Sequence, residues 1–299
     1  MIMFAPLLFL ADPHAASAMQ VGPNPSQRQE STLPIPHRRT IIETAPSAEA
    51  GGPERKPATT DRLADCLGRA QRDSAAGIAF ARGWLAEGAT PEARVRANQC
   101  LGLIQSDLGD FGNAERSFTD ALQGIPEAQK VAGVPLLAMA GNAALAGGAA
   151  ARALDWFDKA LAVTDYPDTV ARGGISIDRA RALVTLARFG EARSALDLAT
   201  RLAPANAEGW LLSATLARRE KDLARAQKDV ETAAGLDPRD PAIGLEAGVV
   251  AVLSGHDDAA RKSWASVVQI APNSAEAKTA QGYLEQLGAP PTSAPQPPR

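Results

Sequence analysis

The stretch Leu108-Gly-Asp-Phe-Gly-Asn-Ala-Glu-Arg-Ser-Phe-Thr-Asp-Ala-Leu122 decides how this 299-residue chain folds. Ala114, Phe118 and Ala121 stand at positions i, i+4 and i+7, which share one face of an α-helix. The two small residues let a neighbouring helix approach closely, and the phenylalanine between them is the large residue that fills the contact. The stretch therefore predicts an amphipathic helix made for close packing against another helix.

The same small–large–small pattern returns along the chain. Three sets of positions recur every 34 residues: Pro204, Pro238 and Pro272; Ala192, Ala226 and Ala260; Ala199, Ala233 and Val267. Because proline cannot continue a helix, each proline marks the turn into the next copy. An earlier copy, Ala153, Phe157 and Ala160, is 39 residues from its neighbours on both sides. We expect the five extra residues to lengthen a turn or a helix near 125–133 and 164–173.

A helix–turn–helix unit of 34 residues resembles the tetratricopeptide repeat (TPR). Cys66-Leu-Gly68 and Cys100-Leu-Gly102, also 34 residues apart, match the first helix of that repeat. The resemblance implies an all-α, right-handed superhelical solenoid of antiparallel helix pairs. Residues 58–287 would hold about five to six pairs, with 275–287 as a lone helix that covers the last apolar face.

The two ends of the chain differ in composition from the repeats. Residues 1–18 contain an apolar run too short to span a bilayer, followed by Ala16-Ser17-Ala18, a cleavage signature before Met19, although no basic residue precedes the run. We therefore expect a signal peptide and a periplasmic protein; if residues 1–18 are retained, the protein would be cytoplasmic. Residues 19–57 and the Pro-rich tail 288–299 have the composition of disordered segments.

Composition and motifs exclude several classes of function. The net charge of −3 is too near neutral for a nucleic-acid binder, and no stretch after the leader is long and apolar enough for a membrane span. Two cysteines and three histidines do not make a structural zinc site, and we find no phosphate-binding, zinc-protease or serine-hydrolase motif. The excess of arginine over lysine indicates a bacterial source. We expect no enzyme activity, no cofactor and no metal.

Cys66 and Cys100 occupy matching places in neighbouring repeats. An exported chain permits a disulfide between them. Equivalent sites on stacked helices lie on axes about 8–10 Å apart, whereas a disulfide needs Cα atoms about 4.4–6.8 Å apart. Two interpretations stay open: a disulfide, or two small buried apolar side chains.

In the family, the first helix of each pair lines a concave groove that binds peptides. The resemblance assigns these residues to that face: Gln99, Leu103, Asn142, Ile177, Arg181, Leu211, Thr215, Arg218, Leu245, Val249 and Tyr283. The groove is then basic in the middle and apolar towards its C-terminal end. Chaperone-binding members hold a terminal carboxylate with lysine and asparagine; only Asn142 is present here, without the lysine, so this specialised role is not expected.

The function that follows is a non-catalytic TPR adaptor or scaffold, exported to the periplasm, that binds a protein or peptide partner. Three alternatives remain at this point. The chain is a cytoplasmic scaffold, or an accessory subunit of a cell-envelope enzyme or assembly complex, or an enzyme whose carboxylates converge in the groove.

Overall fold

A computed structural model of the chain describes residues 61–288, and this part consists of helices joined by short connections, without a β-strand. The predicted signal peptide, the segment 19–57 and the tail from residue 289 lie outside the described residues. The helices are α1 (Arg62–Arg72), α2 (Ser74–Ala86), α3 (Pro91–Asp107), α4 (Phe111–Leu122), α5 (Lys130–Ala146), α6 (Ala150–Ala162), α7 (Thr169–Thr185), α8 (Phe189–Leu202), α9 (Ala207–Arg219), α10 (Leu223–Leu236), α11 (Pro241–Leu253), α12 (Asp257–Ile270) and α13 (Ala275–Leu287). None of these helices is long and apolar enough to cross a membrane.

The helices form six antiparallel pairs in chain order, and α13 closes the stack. The predicted all-α solenoid of helix pairs is therefore confirmed. The helices α5 and α7 have 17 residues, whereas α9 and α11 have 13. The connections before α5 and α7, at 123–129 and 163–168, are also longer than those before α9 and α11, at 203–206 and 237–240. The five extra residues of the third and fourth units thus change both the first helix and the turn before it. A short 3₁₀ helix, Glu127–Gln129, precedes α5.

Local sequence sets the helix boundaries. The side chain of Asp110 accepts a hydrogen bond from the backbone N–H of Asn113 and caps the start of α4, as expected of an acidic residue in this turn. Within five successive pairs, the turn between the two helices contains a residue with positive φ, at positions 109, 148, 187, 221 and 255. Glycine adopts this conformation at three of these positions, and Ala187 and Lys221 adopt it at the other two.

The repeated small–large–small positions form the core of the stack. Ala114, Phe118 and Ala121 are at most 1% exposed, and the equivalent Ala153, Phe157 and Ala160 are equally buried. Gly102 of α3 lies against the ring of Phe118, where a Cβ would come within 2.5 Å of the ring. The first and second helices of a pair therefore pack as closely as the sequence pattern predicts.

Cys66 of α1 and Cys100 of α3 form a disulfide in the structure. Their Cα atoms are 6.5 Å apart, within the range that a disulfide needs, and both residues are fully buried. Because a Cα atom lies about 2.3 Å from its helix axis, facing Cα atoms are closer together than the axes, and the usual axis spacing therefore permits the bond. The bond joins the first helix pair to the second.

Candidate partner-binding surface

The first helices of the pairs form the inner side of the stack. Direct contacts join α1 to α3, α5 to α7, α7 to α9, α9 to α11, and α11 to α13, whereas each second helix packs on its own first helix and on the next one. The contact between α3 and α5 is weaker than these other contacts between neighbouring first helices. The helices α3 and α5 therefore approach each other less closely than the other neighbouring first helices do.

Four of the residues assigned to this face belong to the core of the stack. Ile177, Leu245, Val249 and Tyr283 are 1%, 6%, 3% and 6% exposed. Leu245 and Val249 are buried because α11 packs against α9 on one side and α13 on the other. The C-terminal end of the groove is apolar in sequence, as expected, but these side chains are covered by neighbouring helices and offer no surface to a partner.

The two arginines assigned to the middle of the groove are ion-paired. The guanidinium of Arg181 on α7 pairs with Asp178 of its own helix and with Glu208 of α9. Arg218 of α9 reaches Glu246 of α11 with an Nε–Oε1 distance of 2.6 Å, and the two side chains are only 9% and 8% exposed. The predicted basic middle of the groove is therefore neutralised, because a cation in this shielded place needs a carboxylate beside it.

The sequence carries a signal for these pairs that the repeat analysis missed. Oppositely charged residues 27 or 28 positions apart pair repeatedly across neighbouring units: Arg181 with Glu208, Arg193 with Glu220, Asp197 with Arg225, and Arg218 with Glu246. A spacing of 27 or 28 residues is six or seven residues shorter than the 34-residue period, which is about two turns of an α-helix. It therefore brings together residues of adjacent units, and a search for opposite charges at that interval would have found the pairs.

The inner face of α3 and α5 carries no charge over most of its length. Residues 97–106 and 131–151 contain no acidic or basic side chain. We define the uncharged surface by its half-buried residues on these helices: Gln99, Leu103, Ala138, Asn142 and Leu145. Leu103 packs on the cluster that contains Leu136 and Ala140, so the two helices contribute to one surface.

The two amides of the uncharged surface have unused hydrogen-bonding capacity. No hydrogen bond links the side chain of Gln99 or Asn142 to another residue between 61 and 288. Both side chains remain partly accessible. Thr215 on α9 differs, because its hydroxyl donates to the carbonyl of Leu211 in its own helix at 3.0 Å. Leu211 itself is half-buried against the cluster around Val230.

The titratable groups between residues 61 and 288 do not form a reactive cluster. Burial alone would raise the pKa of Glu115 on α4. Its carboxylate accepts hydrogen bonds from Arg152 at 3.2 Å and from the indole N–H of Trp156 at 3.0 Å, and these lower the pKa by more than burial raises it. This carboxylate is therefore held ionised as an acceptor. No group of three or more potential metal ligands occurs in the described part of the chain. The open cleft beside Trp84 is bordered by paired charges, Arg62 with Glu87 and Arg96 with Asp61.

Solved structures of other proteins have a similar fold. No protein-family model matches the chain, and no curated protein matches it. The crystal structure of PilW, a widely conserved type IV pilus biogenesis factor, is similar with a TM-score of 0.62 and 18% identity, over 76% of this chain and 100% of that one. PilF of Pseudomonas aeruginosa is similar with a TM-score of 0.54 and 17% identity, over 73% of this chain and 100% of that one.

A thermophilic TPR protein of Thermus thermophilus is similar with a TM-score of 0.50 and 20% identity, over 64% of this chain and 98% of that one. At these identities the likeness concerns the fold. It agrees with the stack of helix pairs described above. The chain therefore has the fold of tetratricopeptide-repeat proteins.

Proposed function

We propose that this chain is a non-catalytic interaction scaffold, exported to the bacterial periplasm, that binds a peptide or protein segment on its concave face. The observation that carries the proposal is the uncharged surface, which lies on the two neighbouring first helices with the weakest mutual contact and holds two amides without a described partner. Elsewhere on that face, the side chains assigned to binding are largely buried or paired within the stack.

The ion pairs on the first helices that follow the uncharged surface support the proposal, because they occupy the charged side chains of that part of the inner face. The pair between Arg181 and Glu208 joins α7 to α9, and the pair between Arg218 and Glu246 joins α9 to α11. A charged partner group could bind there only by displacing one of these carboxylates.

The disulfide supports export. Cytosolic thiols are kept reduced, whereas the bacterial periplasm is oxidising and preserves disulfides. The bond between Cys66 and Cys100 thus favours the periplasmic scaffold over the cytoplasmic one, and it agrees with the signal-like sequence of residues 1–18.

Co-purification with a blocked surface tests the scaffold. The change Asn142→Arg places a bulky charge on the uncharged surface, and Ala151→Arg places the same side chain on an exposed site of the second helix α6. We expect the wild type and Ala151→Arg to retain the same co-purifying protein from cells, and Asn142→Arg to lose it. Equal retention by all three chains would contradict the assignment of the surface.

The mature terminus and the thiol state in fractionated cells test export. The proposal expects a periplasmic chain that begins at Met19 and whose cysteines resist alkylation until they are reduced. A cytosolic chain that keeps Met1 and has two alkylated cysteines would support the cytoplasmic scaffold instead. If the co-purifying protein is an enzyme or assembly component of the envelope, the chain acts as its accessory subunit.

A further inference from the structure

We infer that the segment bound on the uncharged surface is itself uncharged: an extended apolar peptide whose backbone amide groups hydrogen-bond with Gln99 and Asn142. This inference rests on the proposed function and adds the chemistry of the partner. It replaces the acidic partner that a basic groove would have implied.

The charge distribution disfavours a charged segment on this surface. The chain is 22% charged overall, yet residues 131–151 carry no charge, and neither does the second half of α3 up to residue 106. A carboxylate or an ammonium group buried here would lose its hydration without gaining an opposite charge, which is costly. An uncharged segment can lie on the surface without that loss.

The ion-paired half of the inner face provides no alternative site for an acidic peptide. The guanidinium of Arg218 is already held by Glu246, and both are shielded from water. An acidic group could bind Arg218 only by displacing that carboxylate, which would then be left buried without a partner. Arg181 is likewise placed between Asp178 and Glu208.

The amides of Gln99 and Asn142 match a peptide backbone. A carboxamide offers donors and an acceptor in one planar group, as a peptide unit does. An extended segment has N–H and C=O groups with no internal partner, and these need satisfaction when water is removed. The two amides lie on neighbouring first helices, so a segment that crosses from α3 to α5 can use both.

The aliphatic residues of the uncharged surface determine which side chains of a bound peptide fit there. Leu103, Leu145 and Ala138 are half-buried, so each keeps part of its apolar surface accessible. Apolar side chains of the partner would cover this surface and remove it from water, which is favourable in proportion to the area covered. The surface therefore fits aliphatic side chains on an extended backbone.

A peptide array with the full-length disulfide-bonded protein tests the inference. The probe is an immobilised array of random decapeptides, followed by synthesis of the strongest binder and measurement of its Kd by fluorescence anisotropy. We expect the strongest binders to be uncharged and aliphatic, and the Kd to change less than about twofold between roughly 50 mM and 500 mM NaCl, since salt screens only charge–charge attraction.

Three variants locate the peptide. Replacing either amide with a side chain of similar size, Gln99→Leu or Asn142→Leu, leaves a peptide group unpaired, and we expect Kd to rise roughly tenfold or more. Gln286→Leu removes an exposed amide of α13 and should leave Kd unchanged. Circular dichroism melts of each variant confirm that the stack is intact.

Each other result overturns the inference in a distinct way. Strong binding of acidic or basic peptides that weakens steeply with salt would refute the uncharged partner and leave the proposed scaffold standing. An unchanged Kd in both leucine variants would place the peptide elsewhere on the solenoid. Failure of the wild type to bind any peptide in the array would count against both the inference and the proposed peptide-binding function.

Discussion

Gly248 of α11 lies directly under the indole of Trp264 of α12, so closely that a Cβ on Gly248 would lie 2.1 Å from Nε1 of the indole. The indole N–H donates to the carbonyl oxygen of Leu245 at 3.1 Å. Gly141 lies in the same way under Phe157, with a Cβ position 2.5 Å from the ring. The missing side chain on the first helix thus makes room for the aromatic residue on the second.

The first prediction concerns this packing. Gly248→Ala should lower the free energy of unfolding by roughly 1–3 kcal/mol, because the rigid indole cannot move away, even though alanine favours helix more than glycine does. Urea unfolding followed by circular dichroism measures the change.

Gly282 is the matched control, since it occupies the equivalent place in α13 and has nothing within 4 Å of its Cβ position. Gly282→Ala should stabilise the chain by about 0.5–1 kcal/mol. The packing account fails if both substitutions stabilise the chain equally.

The second prediction concerns the disulfide. Removing a bond that closes a sequence separation of 34 residues, with Cys66→Ala and Cys100→Ala together, should lower stability by roughly 3–4 kcal/mol. The loss should be concentrated in the first helix pair, because each unit of a solenoid contacts only its neighbours. Hydrogen exchange should therefore accelerate in α1 and α2 and stay unchanged in α13.

Reductant provides the control for this pair. Dithiothreitol should shift the wild type to the stability of the double variant and have no effect on the variant itself. If reduction leaves the exchange rates of α1 and α2 unaltered, the disulfide does not fasten the first pair.

The third prediction concerns pH. The pKa of Glu115 is lowered below its ordinary value of 4.5 in the folded chain, since hydrogen bonds from Arg152 and Trp156 outweigh the effect of burial. A lowered folded pKa means that the stabilisation is complete above the unfolded pKa and is lost as pH falls through the folded pKa. Glu115→Gln should therefore cost on the order of 1 kcal/mol at pH 7.

The pH series then checks the sign. The stability difference between wild type and Glu115→Gln should shrink as pH falls below about 4.5, in denaturant titrations at several pH values. A difference that stays constant from about pH 7 to pH 3 would show that the carboxylate charge of Glu115 does not contribute.

The fourth prediction tests whether Arg218 stabilises the fold or contacts the bound peptide. Arg218→Met leaves Glu246 buried without its partner and should cost roughly 3–5 kcal/mol, whereas the double variant with Glu246→Leu should recover most of that loss. The folded double variant should bind the peptide found on the array as tightly as the wild type. A large loss of affinity in the double variant, with stability restored, would return Arg218 to the binding site.

The sequence predicts the fold well because the fold depends on a few spacings. Small residues at Ala114 and Ala121 around Phe118 determine a close helix contact, and their recurrence determines a stack. The 39-residue spacing between some units also has a simple interpretation, because five extra residues in a stack of helix pairs lengthen a turn or a helix.

The binding surface is less predictable from the sequence. The position of a residue in the repeat indicates the face of the helix on which it lies, but not whether a neighbouring helix covers its side chain. Leu245 and Val249 occupy groove positions yet are buried, owing to the packing of α11 between α9 and α13. The charge of Arg181 was visible in the sequence, but its neutralisation depends on Glu208 one helix pair away.

Photo-cross-linking in living cells tests the central claim most directly. A photoreactive residue in place of Asn142, on the uncharged surface, should yield one discrete adduct with a partner, and the same residue in place of Ala151, on the exposed side of α6, should yield none. The same adducts from both positions, or none from position 142 under conditions where the chain is exported and folded, would contradict a scaffold that binds its partner on the concave face.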